Sequence, residues 1–523
     1  MIPACRRHPI LSTLAVLVLL VVFFLVHRAW GPYRFYRVDL LKPKPGEKVE
    51  VGNLEVGVGL RDITPDLSKY DTWTDADGDA EYDPEKGDTY SDRNGNGRFD
   101  AVWIAGFGNN RPAQGIHDPL WARAIAFRNN GVTVVLVTLD SIGIFHEAFI
   151  NIRKRLSPSL GIDHVMFSCT HNHEAPDTMG IWSYSVIWDY FDHGYLELVK
   201  GRCVEAIIEA VSKLAPVDTV LAQTEVPVEG FVDDSRLPLV YDNTLCCARF
   251  IRKGTDETVA TMLEWGNHVE TLASRNGLLT SDFAHYWREG VEKGVPDPNG
   301  CAALGGACLY FQGQVGGLMT QLHTTVPHRD GQQSFREGSF EKAQALGENL
   351  AVLSVNTLQG DTAWRMEDQK VSVAAKTIFV PMSGLMHLAG FLGLVHPGWF
   401  WGHGRSEVNV IRIGEMEILT VPGELYPEIG NGGVEAPEGA DFACAPVEVP
   451  PLRSKMTGKL NLIVGLANDE LGYFVPKSQW DVKPPFAYGK KKAQYGEVNS
   501  PGPDAAAAVH REALALLARA HGE

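Results

Sequence analysis

Residues Val165 to Pro176 read Val-Met-Phe-Ser-Cys-Thr-His-Asn-His-Glu-Ala-Pro. A short apolar run that stops at once in two histidines, a carboxylate and a proline constrains the fold more than any other stretch. Apolar runs of this length, closed by a breaker, suit a strand buried on both faces of a sheet. In such sheets the reactive groups sit just past the carboxyl ends of the strands, where loops open into a crevice. Imidazoles presented there are candidate metal ligands. One His-x-His alone is more often a hydrogen-bonded loop pair, but four other runs end in the same manner.

Thr258 to Trp265 leads into Asn267-His268, and Cys308 to Phe311 leads into the glycine-rich turn Gln312 to Gly317. Asn409 to Leu419 reads as a hairpin through Gly414 that delivers Glu424, and Leu460 to Gly465 delivers Asn468 to Tyr473. Val134 to Leu139 is a further buried strand, ending in Asp140; the helical stretch Glu147 to Leu156 separates it from the Val165 strand, the pattern of a crossover unit. Val56 to Leu60 and Thr219 to Gln223 add strands, Tyr195 to Leu214, Phe340 to Leu358 and Ala505 to Ala520 add helices. The expected fold is α/β, a mixed sheet core with site residues at the carboxyl ends of strands, plus an N-terminal transmembrane helix.

That helix is Ile10 to Val26, a charge-free run of seventeen residues. It lies at the short end of the roughly 17–25 residues that span a bilayer. No small-x-small cleavage signal follows it, so it reads as an uncleaved anchor. The expected organisation is a short segment over residues 1–9, the anchor over 10–26, a linker over 27–50 and a globular body over 51–523. Within the body, residues 71–100 form an acidic insertion. There Asp75, Asp77, Asp79 and then Asp92, Asn94, Asn96, Asp100 repeat the oxygen spacing of a calcium loop. Lys86 and Trp103 stand where the closing glutamates would be, so the loops are not ordinary EF-hands. The bland alternative is a polar surface loop; two copies in tandem favour Ca2+.

Arg28, Arg34, Arg37, Lys42 and Lys44 follow the anchor and only Arg6 and Arg7 precede it, a balance that the positive-inside rule counts against export. Weak calcium loops make sense where calcium is millimolar, outside the cytoplasm. The expectation is therefore a single-pass membrane protein whose body is extracytoplasmic. A net charge of −17 disfavours nucleic acid as a partner. Eight cysteines in 523 residues form no dense framework; Cys301 and Cys308 are spaced to close a loop, and Cys246 and Cys247 read as strand residues.

Two imidazoles and a carboxylate are a ligand set for catalytic zinc, which keeps a position open for water. Zinc lowers the pKa of that water to about 7, making hydroxide available at neutral pH. The N–H groups of the Gly313 to Gly317 turn could face an oxyanion, though a phosphate cradle looks no different. His117 and Asp118 are either partners orienting a ligand or helix-start residues, and Asp140 could fix an imidazole tautomer. Gly384 to Trp401 is the most apolar run of the body, read either as core or as an exposed lip for an acyl chain, with core slightly ahead.

Gly57-Val58-Gly59, His117 with Ala122-Arg123-Ala124, Val137 to Asp140, Thr170-His171-Asn172-His173, His268, Val421-Pro422-Gly423-Glu424 and Gly465 to Tyr473 together resemble the neutral (non-lysosomal) ceramidase family, in order from about Val56 to about Tyr495. The resemblance implies Zn2+ held by His171, His268, Glu424 and Tyr473. It also implies that His173 and Arg236 position the substrate, that Tyr473 stabilises the developing oxyanion, and that Tyr495 lies on the substrate side. The implied activity is zinc-dependent hydrolysis of an amide bond in an N-acyl lipid or ceramide-like substrate. Departures fall on the substrate side: Gly313 stands where ceramidases carry a serine, and Asn172 and Glu174-Ala175 replace threonine and serine-glycine. The sequence ends where the family's C-terminal sandwich domain begins. An inactive binding or scaffold domain, and a metal-dependent esterase or phosphoesterase, are the competing expectations.

Overall fold

The computed structural model describes residues 9–44, 46–47, 49–185, 190–392 and 398–522. Among them the helices are α1 (Pro9–Trp30), α2 (His146–Arg155), α3 (His193–Ser212), α4 (Phe283–Lys293), α5 (Phe340–Gln359), α6 (Gly384–Phe391), α7 (Pro427–Asn431) and α8 (Ala505–His521). Two sheets carry the body. The larger runs in the order Ala307–Gln312, Thr258–Trp265, Thr244–Arg252, Ala215–Glu225, Glu55–Asp62, Trp121–Asn129, Val132–Leu139, His164–Cys169. Its inner pairs are antiparallel, and the pair at each edge is parallel. The second sheet runs Asp39–Lys42, Val371–Pro381, His403–Ile413, Met416–Thr420, Leu460–Val464, and its last pair is also parallel.

One face of each sheet meets the other around Ile125, Phe127, Leu136, Met166, Phe250 and Phe311 from the first, and Val373, Ile411, Ile418 and Leu462 from the second. The outer faces need cover as well, because strands such as Val132–Leu139 are buried at every position. Helices α2 and α3 supply it over the Trp121–Leu139 hairpin, α4 and α5 over the Thr244–Trp265 hairpin, and α8 over the second sheet. The result is a four-layer mixed α/β body.

The large sheet curls until its edges meet. Thr138 Oγ1 donates to the Tyr310 carbonyl at 2.6 Å, and Arg123 to that of Cys308 at 2.7 Å. The carboxyl ends of both parallel edge pairs therefore open side by side, and the Met416–Thr420 and Leu460–Val464 strands end against them. Their turns are stitched together: Gly465 N donates to Gln312 O, Cys169 N to Leu466 O, and Leu466 N to Gly423 O.

Three sequence expectations change. Part of the stretch read as a linker is structured, since Asp39–Lys42 pairs with Val371–Pro381 as an edge strand. Cys301 and Cys308 are free thiols rather than a bridge; the Cys308 thiol is buried in a strand, whereas Cys301 lies on a separate bridge to Val295. Of the apolar run Gly384 to Trp401, Trp399 is core, but Leu385, Leu388 and Trp401 are exposed. Within that run α6 closes at Phe391, and residues 393–397 lie outside the described residues.

Candidate metal centre

The ends of three parallel strand pairs bring His171, His268, Glu424 and Tyr473 to one point. Glu424 Oε2 lies 3.3 Å from His171 Nε2 and 3.2 Å from His268 Nε2, and the Tyr473 hydroxyl is 3.2 Å from that same His268 nitrogen. All four side chains are buried. Glu424 and Tyr473 are paired residues of a two-residue parallel bridge, so backbone pairing itself holds carboxylate and phenol together. His171 sits in the left-handed region at φ 61°, a cost that persists where surrounding structure over-determines the residue.

These contacts have the form of ligands around an ion. Glu424 Oε2 has no hydrogen-bond partner despite its two near imidazoles. Zinc ligands at about 2.0–2.1 Å in a tetrahedron lie roughly 3.3 Å apart, the separations seen here. His171 Nδ1 meets the Ile142 carbonyl at 2.8 Å and His268 Nδ1 the Met319 carbonyl at 2.8 Å. Each Nδ1 thus carries the proton and each Nε2 lone pair turns inward, the usual outer arrangement of metal-bound histidine. Electrostatics agree. Burial disfavours charge on His171, yet the Glu424 carboxylate outweighs it and raises the imidazole to about 9. Burial likewise opposes charge on Glu424, but His171 and His268 hold it well below the carboxylate range. A proton on His171 thus takes the electrostatic place of a cation. The donor set fits zinc.

His173 joins the cluster, its ligand atoms lying with those of His171 and His268 within 4.8 Å of one another. Burial, then the charges of His171 and His268, push its pKa well below the ordinary value. It is therefore a neutral ring, and neither nitrogen has a hydrogen bond. Its room is made by Gly106, at φ +115°, where any Cβ would lie 2.5 Å from the imidazole.

Other expected residues behave differently. Arg236 is not free for substrate: it grips Glu497 with both terminal nitrogens (2.8 and 2.6 Å) and donates to the carbonyls of Tyr495 and Gln479. It therefore anchors the rim that carries Tyr495, whose ring centroid is 5.8 Å from that of Tyr473. Asp140 fixes no imidazole tautomer. It pairs with Arg288 at 2.7 and 2.8 Å and accepts from Ser281, while backbone carbonyls orient the histidines. His117 stacks on Phe340 and bonds Asp118, apart from the cluster. Gly313 N donates to the Trp265 carbonyl and Gly316 N to that of Leu425, so these two N–H groups do not face an oxyanion. Nor does a serine fit at Gly313 without movement, because a Cβ would stand 2.7 Å from Gly266 N.

Two buried acids escaped the sequence reading. Glu270 lies 3.2 Å from His173 Nδ1 and accepts from Thr320 Oγ1 at 2.5 Å. Glu470 accepts from Gly472 N, and burial beside Glu424 raises it well above the carboxylate range. Glu270 sits two residues from the proposed ligand His268 and Glu470 three from Tyr473, a signal that a search of strand ends could have used.

The acidic insertion is a second donor cluster, in which Asp75, Asp77 and Asp79 converge. Asp71 to Asp83 (Asp-Thr-Trp-Thr-Asp-Ala-Asp-Gly-Asp-Ala-Glu-Tyr-Asp) repeats seventeen residues later as Asp88 to Asp100 (Asp-Thr-Tyr-Ser-Asp-Arg-Asn-Gly-Asn-Gly-Arg-Phe-Asp). Thr72–Thr74 and Thr89–Ser91 pair antiparallel, Trp73 opposite Tyr90, so the copies are related by a pseudo-twofold. Each leading aspartate closes the other copy's loop. Asp88 accepts from Ala76 N and Asp83 N; Asp71 accepts from Arg93 N and Asp100 N, the equivalent positions. Tyr82, Phe99 and Trp103 form a small core beneath.

No protein-family model matches the chain, and no curated protein matches it in sequence. Solved structures do. The fold is similar to that of solved ceramidases. In particular, the chain is similar to the neutral ceramidase from Pseudomonas aeruginosa, with TM-score 0.64 and 15% identity over 91% of this chain and 75% of that one. It is likewise similar to a ceramidase complexed with C2, with TM-score 0.63 and 14% identity over 90% and 75%.

Proposed function

We propose that this chain is a membrane-anchored, extracytoplasmic zinc hydrolase that cleaves the amide bond of an N-acyl lipid or ceramide-like substrate. The observation that carries the reading is the convergence of two inward-facing Nε2 atoms, an unpartnered carboxylate oxygen and a phenol at about 3.3 Å spacing. His171, His268, Glu424 and Tyr473 would hold the metal. Zinc there supplies polarisation of a carbonyl and a nucleophilic water near neutral pH. The chain's own residues do the rest. The Tyr473 phenol, 3.2 Å from His268 Nε2, is placed to stabilise a developing oxyanion. Neutral His173, with Glu270 behind it, accepts from the substrate head group. Arg236 positions the Tyr495 rim. The hydrolase domain runs over residues 51–523, beyond the 10–26 anchor and the 27–50 segment, with α1 (one helix long and apolar enough to cross a membrane) as the span. The 71–100 insertion holds Ca2+ through Asp75, Asp77, Asp79 and Asp92, Asn94, Asn96, Asp100.

A second reading, a binding or scaffold domain without turnover, is favoured by Gly313, which has neither a hydroxyl nor space for one. Metal analysis of the purified protein, followed by a panel of N-acyl amides, esters and phosphoesters, separates them. The hydrolase reading expects one zinc per chain and amide turnover that Glu424→Ala reduces by more than the roughly 10–100-fold typical of losing an outer partner. Zinc without turnover across the panel supports the scaffold. Turnover of esters or phosphoesters but not amides moves the same site to that chemistry.

A further inference from the structure

We infer that α6, the Trp399 to Trp401 segment and the Tyr495 to Val498 rim form one membrane-docking face, covered by the lipid bilayer, through which an acyl chain reaches the centre. The inference deepens the proposed function, resting on it only for what enters the site.

The anchor is not loosely tethered. The Ala29 carbonyl, in the last turn of α1, accepts from Gly398 N at 2.8 Å and Trp399 N at 2.9 Å. Trp30 stacks on Phe400, with centroids 5.8 Å apart, and meets Trp401 edge-on at 6.2 Å. Helix α1 packs against α6. None of its apolar window is buried in the body. A span fixed in this way sets the bilayer plane relative to the body, and whatever flanks Trp30 lies at headgroup depth. Tryptophans at that depth are the ordinary interfacial residues.

What flanks it is apolar and open. Leu385 and Leu388, three apart on one face of α6, are exposed together with Trp401. The path continues to the site. Ser383, which precedes α6, donates its N–H to the Pro501 carbonyl at 2.8 Å. The segment ending there begins at Tyr495, against Tyr473, and carries Val498. These five side chains are between 46% and 76% exposed. Single exposed apolar residues need no explanation; a series joining a membrane span to a metal centre does. Arg34 and Arg37 lie over the Phe35 and Phe379 rings beside the span, placed to reach lipid phosphates.

The test uses the full chain in lipid nanodiscs whose acyl chains are brominated near the headgroup. Trp401 fluorescence is taken as the difference between wild type and Trp401→Phe. The expected result is strong quenching of that difference, abolished by Leu385→Asp with Leu388→Asp. The same pair should lower hydrolysis of a bilayer-borne N-acyl amide roughly tenfold and leave a short soluble amide within about twofold. An unquenched Trp401, or a double variant that loses neither quenching nor lipid turnover, overturns the inference. Unquenched Trp401 in discs holding two chains assigns the face to a second copy, and overturns it too. A wild type that hydrolyses neither amide removes the catalytic reading, while quenching still decides the docking.

Discussion

The histidine centre and the acidic double loop both gather donors, in opposite ways. The first draws on residues from His171 to Tyr473, all buried, each at the end of a different strand. The second is complete within thirty residues, mostly exposed, and closed by its own repeat. In the first, ligand positions follow from the curl of the large sheet and the stitching of its turns to the second sheet. In the second they follow from aspartates bonding nearby N–H groups. A centre of the first kind stands or falls with the whole fold, and one of the second kind can vary while the rest stays folded.

The contrast is sharpest at Arg153 on α2. Its guanidinium meets Glu407 of the second sheet at 2.7 and 2.8 Å, the Val165 carbonyl at 2.9 and 2.7 Å, and Asn468 Oδ1 at 2.9 Å. Three elements that position His171 and Tyr473 thus share one buried cation. Arg153→Ala leaves buried Glu407 charged, with only His164 and Asn409 beside it, and should destabilise the chain by about 3–5 kcal/mol with loss of bound metal. Denaturant unfolding and metal analysis check this; a fully folded variant with intact metal would break the comparison. Burial opposes charge on Glu407, but Arg153 and His164 hold it well below the ordinary carboxylate value. A depressed pKa contributes stability that is present above the unfolded value, about 4.3, and lost as pH falls toward the folded one. Glu407→Gln should therefore lower stability at neutral pH and flatten its fall below about pH 4.

A smaller effect is expected in the double loop. Asp71 precedes the first copy yet closes the second, so Asp71→Ala should speed amide exchange over residues 93–100 and spare 76–83. Asp88→Ala should do the reverse. Each change strands two N–H donors, a local loss of about 1–3 kcal/mol. Hydrogen-exchange mass spectrometry reads the two peptides separately, and amide turnover should stay within about twofold of wild type. Slowed or equal exchange in both copies would remove the swapped closure.

Legibility in the sequence followed the same division. Strands covered on both faces announced themselves, and Thr258–Trp265 was bounded correctly because every residue in it is buried. The proposed ligands are legible as apolar runs that end in donor residues, with the phenol's place among them supplied only by family resemblance. Arg236 and Asp140 were misread because a charged residue near a strand end looks alike whether it faces substrate or, as here, a buried partner such as Glu497 or Arg288. Glu270 was invisible for a related reason: its partner Thr320 is fifty residues away. The acidic loops were legible as donors, but the closing aspartates were not, because each lies outside the loop it closes.

The least effect, and the most informative about the second region, is expected at Lys86. It occupies the position where a calcium loop usually closes with glutamate, and its ammonium bonds Asp79 and lies 3.8 Å from Asp77. The lysine thus sits on two of the three convergent carboxylates and competes with any cation for them. Exposed pairs of this kind are weak, so Lys86→Ala should tighten calcium binding by only about two- to fivefold, measured by calorimetry on the full chain. Raising the salt concentration should shrink the difference between variant and wild type, since screening weakens the lysine before it weakens direct coordination. Unchanged calcium affinity at low salt would mean that Asp77 and Asp79 are not ligands, leaving only the second copy of the double loop as a proposed calcium site.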